Sequence, residues 1–368
     1  MTRTMQRSLI VLLLTLCVSQ VTVHAQVDPQ KADDEAGKAL DFMDRNLPES
    51  AIQAWDRALA LMPNYRPYMY EKAVCLSMAK RFDEAITILS PIYTDTSLKD
   101  RGYQLLGACY DERQDTASSR RIYREGLQAY PTSGRLHFEM GQQYYVALDR
   151  TTAHQWWGKG TQADPAYAKN YYWLAKSFSQ TKDLLWGIMY AELFLNLERN
   201  TQRTAEMSQL CFEMWNKALK VGDPNDPINF CSDNVLEQPD RRGPNVMSFP
   251  VAFEYTMALA ASVVTPKDTL TRRLSIEQMI DLRYAFTRAW AKAGLDTTHP
   301  NDVLRWNIEL QREGKLKDYL WWLYAYGDKV EMNRFFRKNE QRYDTFLVWF
   351  GEHGFSFRKP LCVGYRCP

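Results

Sequence analysis

The chain is poor in the residues on which catalysis and metal binding most often rest. It carries five histidines in 368 residues. Those beyond the leader discussed below are His137, His154, His299 and His353, and no two stand at a metal-ligand spacing. No Gly-rich phosphate loop, nucleophile elbow or pair of cysteines two residues apart occurs, so the usual marks of nucleotide binding, acyl transfer and thiol redox chemistry are missing. Asp223 and Asp226 sit among prolines and read as turn chemistry before they read as calcium ligands. Excess charge is absent too: with Arg3 and Arg7 of the leader set aside, 44 basic residues face 44 acidic ones. That balance argues against nucleic acid or a polybasic membrane contact. Past the leader, no run is apolar enough to span a bilayer.

Aromatic residues are plentiful, with 21 Tyr, 16 Phe and 11 Trp, a supply that suits both core packing and interfaces. Residues 1–25 read as a secretory leader, with an uncleaved anchor as the rival reading. Arg3 and Arg7 give the positive start, Leu9 to Leu16 the apolar run, and Val23, His24 and Ala25 the small-residue cleavage pattern before Gln26. The mature chain is therefore expected to be exported: periplasmic, envelope-associated or secreted. Leu16 stands where a lipoprotein signal needs a small residue before Cys17, so lipidation has little support. Residues 26–34 are polar, contain Pro29, and read as a flexible lead-in.

From 35 to 200 the chain is periodic. Ala39, Ala73, Gly107, Gly141 and Ala175 are spaced 34 residues apart, as are Ala51, Ala85, Ser119, Ala153 and Gly187. Trp55, Leu89, Tyr123 and Trp157 keep the same step, and Pro63, Pro131 and Pro165 share the register. A period of this size predicts stacked helical hairpins, each too small to bury its apolar face alone. The two series of small residues mark where the paired helices approach most closely. Asp115, Asp149 and Asp183 recur just before the second helix of repeats three to five and are expected to cap it. Residues 32–199 resemble five tetratricopeptide repeats in register, with Phe42, Leu76, Tyr110, Tyr144 and Phe178 at the large eleventh position. The motif's early Trp is replaced by Glu35, Met69, Tyr103, His137 and Tyr171. The resemblance implies an all-α, right-handed superhelical solenoid.

It also implies a concave face built from the first helix of each repeat, with protein or peptide partners bound there. Its second positions are Arg101, Arg135 and Lys169; its fifth are Tyr70, Gln104, Phe138 and Tyr172; its ninth include Gln142 and Lys176. Basic side chains beside aromatic ones suit acidic or carboxylate-bearing peptides. The family's carboxylate clamp for chaperone tails is not matched, because Val74 and Ala108 occupy its Asn positions.

Residues 201–221 read as a capping helix with Met207, Leu210, Cys211, Met214, Trp215 and Leu219 on one stripe. A loop or linker covers 222–248. An all-α C-terminal domain follows at 249–357, with helices expected over 249–264, 276–293, 303–311, 317–326 and 330–350, and then a tail at 358–368. The aromatic run at 318–327 is expected to be buried on every side. Cys75 and Cys109 share one repeat position and read as packed thiols. Cys362 and Cys367 in the tail are expected to form a disulfide in an oxidising compartment, with a pairing of Cys211 with Cys231 left open. The function expected is an exported scaffold or adaptor with no cofactor and no metal. The alternative is an enzyme, small-ligand or glycan-binding protein with its site in the C-terminal helices and the repeats as a docking arm.

Overall fold

The computed structural model describes residues 28–219, 228–236, 246–264 and 273–357. The leader and the tail with Cys362 and Cys367 lie outside the described residues. Within them every regular element is a helix. The chain divides into two compact units, the first ending at Ile122 and the second beginning at Tyr123.

The first unit contains α1 (Pro29–Asp44), α2 (Pro48–Leu61), α3 (Arg66–Met78), α4 (Phe82–Leu89), α5 (Asp100–Glu112) and the start of α6 (Thr116–Ala129). Each of the first four helices packs on the next, and α3 also packs on α5. The expected loose lead-in is helical from Pro29 onward, because Asp28 accepts a hydrogen bond from the Lys31 amide and Pro29 opens the helix with a preset φ. Ala32, Ala36 and Ala39 of α1, and Ala51, Ala54 and Ala58 of α2, are all buried, so small residues line this crossing.

The second unit continues with α7 (Gly134–Val146), α8 (Arg150–Ala163), α9 (Ala168–Ser179), α10 (Leu184–Leu197) and α11 (Gln202–Leu219). The period is written in the helix starts. First helices from α3 onward begin at 66, 100, 134, 168 and 202, and second helices at 48, 82, 116, 150 and 184. The turn inside each of the first four hairpins holds a left-handed residue at one register position: Asn46, Lys80, Gln114 and Leu148, with φ of 54°, 60°, 62° and 64°. At the α7–α8 crossing a Cβ on Gly141 would lie 2.2 Å from Nε1 of Trp157, whose N–H donates to the Phe138 carbonyl at 3.2 Å.

Asp115 and Asp149 cap their helices through the amides of Ser118 and Thr152, each at 3.0 Å. Asp183 does not. Its carboxylate accepts from the Ser232 amide and hydroxyl at 2.8 and 2.7 Å, while the Leu185 amide at the start of α10 donates to the Phe230 carbonyl at 3.0 Å. The cap is diverted because residues 228–236, inside the stretch expected as a linker, fold back onto this helix end with Phe230 and Cys231 fully buried. Glu254 holds the same segment from the other side, accepting the amides of Phe230 and Cys231 at 2.7 and 2.9 Å. Cys211 and Cys231 are both buried free thiols, and burial pushes each well above the ordinary thiol range. Cys75 and Cys109 are buried free thiols as well.

Beyond α11 the chain forms α12 (Asp233–Leu236), α13 (Phe249–Val264), α14 (Ile276–Lys292), α15 (Leu295–Thr298), α16 (Asp302–Arg312), α17 (Leu316–Leu323) and α18 (Lys329–Glu352). Helix α14 packs on α13, α16 and α17, and α16 reaches α10. As a result every residue of α10 from Leu184 to Asn196 is buried. One of them is charged. Glu192 accepts from Arg283 of α14 at 3.1 Å and from Asn307 of α16 at 2.8 Å, and the Tyr319 hydroxyl of α17 lies 3.3 Å away. Arg283 also donates to the Tyr324 hydroxyl at 2.8 Å and lies 4.6 Å from the Trp215 ring centre. The aromatic run is buried along most of its length: Tyr319, Leu320, Leu323 and Tyr324 are fully enclosed, Trp322 is half-buried, and Tyr326 emerges at 45% exposure.

Candidate functional site on the first helices

Each first helix carries its second, fifth and ninth positions on one of its own sides, since residues three and four apart share a helix face. In the first unit, Tyr70 of α3 is buried and the Arg101 guanidinium of α5 stands 5.1 Å from its ring centre. Burial raises the Glu71 carboxyl above its ordinary range, with the Arg101 charge opposing that shift. Gln104 lies half-buried one turn along from Arg101 on α5.

In the second unit the same relation recurs twice. Lys169 Nζ of α9 stands 5.6 Å from the centre of the Phe138 ring of α7, and Arg203 of α11 stands 5.6 Å from that of Tyr172 of α9. Each cation belongs to the second position of one first helix and each aromatic to the fifth position of the first helix before it. A cation over an aromatic face contributes about 0.5–1 kcal/mol where water still reaches it. Arg135 adds a related contact, 5.9 Å from the Tyr167 ring centre. The Gln142 carbonyl oxygen is buried and meets no donor among the described residues.

The cations differ in what else they hold. Lys176 donates to Glu206 of α11 at 2.7 Å, and the Tyr172 hydroxyl donates to the same carboxylate at 2.7 Å. The Lys176 bond, then the Tyr172 bond, holds the Glu206 carboxyl below its ordinary range, and the Glu206 bond raises Lys176. Arg203 is paired with Glu198 at 2.6 Å. Among the described residues no carboxylate pairs with Lys169, which is half-buried beside Phe138. The face therefore offers ammonium and guanidinium donors over aromatic rings, a surface chemistry suited to carboxylates and backbone carbonyls.

Arg203 and Glu206 were not among the residues expected here, because 201–221 reads as a cap. Their signal lies in the register, one period after Lys169 and Tyr172. Helix α11 packs on α10 and α9 as α9 packs on α8 and α7, and so takes the place of a further first helix.

The histidines serve packing. His154 stacks on Phe178 with ring centres 4.3 Å apart and meets the Ser177 hydroxyl at 2.7 Å. His137 meets the Ser133 carbonyl, and His299 the Met247 carbonyl, each at 2.8 Å. Among the described residues no three His, Cys, Asp or Glu side chains gather as metal ligands, and no helix is long and apolar enough to cross a membrane. No protein-family model matches the chain, and no curated protein matches it.

Proposed function

We propose that the protein is an exported scaffold of the tetratricopeptide-repeat type that holds protein or peptide partners at the cell envelope on the faces of its first helices. One observation carries this reading: the cation-over-aromatic pair recurs at the same register in Tyr70 with Arg101, Phe138 with Lys169 and Tyr172 with Arg203. Core packing alone does not require a charged group at that place in successive hairpins, whereas aromatic anchors flanked by cations are what a peptide-binding surface needs. The leader, read from residues 1–25, supports export. Where the C-terminal helices meet α10, the Glu192–Arg283 pair is closed to solvent and the Glu192 carboxylate is taken up by Arg283 and Asn307, so it offers no open ligand site.

The test is affinity capture from an envelope fraction with the wild-type chain and with Arg101→Glu combined with Lys169→Glu. The reversal is expected to strip specific partners while leaving the helical circular dichroism spectrum unchanged. An unchanged set of captured proteins removes this face from the account.

A further inference from the structure

The last helix carries its charges in an arrangement that disfavours it in isolation. Before Asn339, α18 has Lys329, Arg334, Arg337 and Lys338; after it come Glu340, Asp344 and Glu352. Cations near a helix N-terminus and anions near its C-terminus both oppose the macrodipole. Arg334 and Lys338, like Glu340 and Asp344, are like charges four apart, a further small cost. The acid placed to offset this in the first turn, Glu331, is used elsewhere: its carboxylate accepts the Ile276 and Glu277 amides at 2.7 and 2.9 Å and so caps α14. Arg342 is likewise engaged, with Asp318 at 2.9 Å. Arg334, Arg337, Lys338, Glu340 and Asp344 are exposed and form no ion pair with another described residue.

Apolar residues frame this strip. Val330 is 70% exposed in the basic half and Val348 67% exposed in the acidic half. A shallow groove at the acidic half is lined by Glu340, Gln341, Asp344, Thr345 and Val348. The backbone leaves helical geometry at Asn339, with φ −133° and ψ 19°, which divides the basic half from the acidic half.

We propose that this strip of α18 is an isologous interface with a second copy of the chain, the two helices antiparallel about a twofold axis at Asn339. Antiparallel alignment about that point sets Val330 against the second copy's Val348, Arg334 against its Asp344, and Lys338 against its Glu340. It also opposes the two macrodipoles, so each disfavoured half meets its complement. Complementary charge is the observation that selects a second copy over an unrelated partner. The 24 residues of α18, interrupted at Asn339, reach at most about 36 Å, so one helix pair buries less than the roughly 1,200 Å² that bounds the weak, transient interfaces. The dimer is accordingly weak and sensitive to salt.

Sedimentation velocity on the full chain tests this. The wild type is expected to dimerise reversibly at tens of micromolar, with the dimer fraction falling as ionic strength rises from about 0.05 to 0.5 M. Arg334→Asp alone and Asp344→Arg alone are each expected to weaken association at least about tenfold. The double variant, and an equimolar mixture of the two single variants, are both expected to recover it, since each restores opposite charges across the axis. A wild type that stays monomeric overturns the proposal. So does a dimer indifferent to the single reversals, or a mixture no better than its components. Cosedimentation of a monomeric wild type with phosphatidylglycerol vesicles also overturns it and assigns the basic half to an anionic lipid surface.

Discussion

Trp157 occupies the space in which a side chain on Gly141 would sit, and its indole N–H is already committed to the Phe138 carbonyl. Gly141→Ala is therefore expected to cost about 1–3 kcal/mol through overpacking, read as a lowered urea midpoint. His154 makes a second residue-scale prediction. Burial, and then the charge of Arg150, lowers its pKa to about 4 from the ordinary 6.5. Between those values the unfolded chain binds more protons than the folded one. The stability from neutral His154 is thus fully present above about pH 6.5 and is lost as pH falls toward about 4. The loss amounts to at most about 3 kcal/mol. Urea titrations at pH 7 and pH 4 check this: the drop in stability is expected to be smaller in His154→Phe than in the wild type. The Asp115 and Asp149 caps were legible because a cap acts within three residues. The diversion of Asp183 to Ser232 was not, since the partner lies 49 positions away in a segment without helical periodicity.

At the scale of elements, the hairpins were readable because small residues mark each close crossing. The helix starting at 202 lacks that mark. Its eighth position holds Gln209, exposed and too large for such a crossing, so the small-residue signal ends while the helix register continues. Glu192 and Arg283 left no periodic trace, being 91 residues apart. A lone acid in the apolar helix at 184–197 was their only mark. Arg283→Met leaves Glu192 buried without its cation and is expected to cost about 3–5 kcal/mol. Adding Glu192→Leu removes the stranded charge, so the double variant is expected to be more stable than the single one in urea unfolding. A double variant as weak as the single one would mean that packing around Asn307 and Tyr324, not charge, dominates this cluster.

For the whole molecule, the proposed scaffold reading rests on the cations set over aromatic rings at one register position of the first helices. A scaffold needs rigid helices to present such a surface, and the enclosure of α10 by the C-terminal helices provides that rigidity in the second unit. The basic and aromatic residues follow from the register together with the tetratricopeptide resemblance, which singles out its second, fifth and ninth positions. Their mutual engagement does not, because it depends on which side chain of one first helix overlies the next. Site-specific photocrosslinking in intact cells tests the central claim most directly. A benzophenone amino acid is placed at Arg101 or Lys169 on first helices, or at the exposed Gln155 on the second helix α8. The account predicts discrete partner adducts from Arg101 and Lys169 and none from Gln155. Adducts from Gln155 alone, or the same adducts from all three positions, would contradict it.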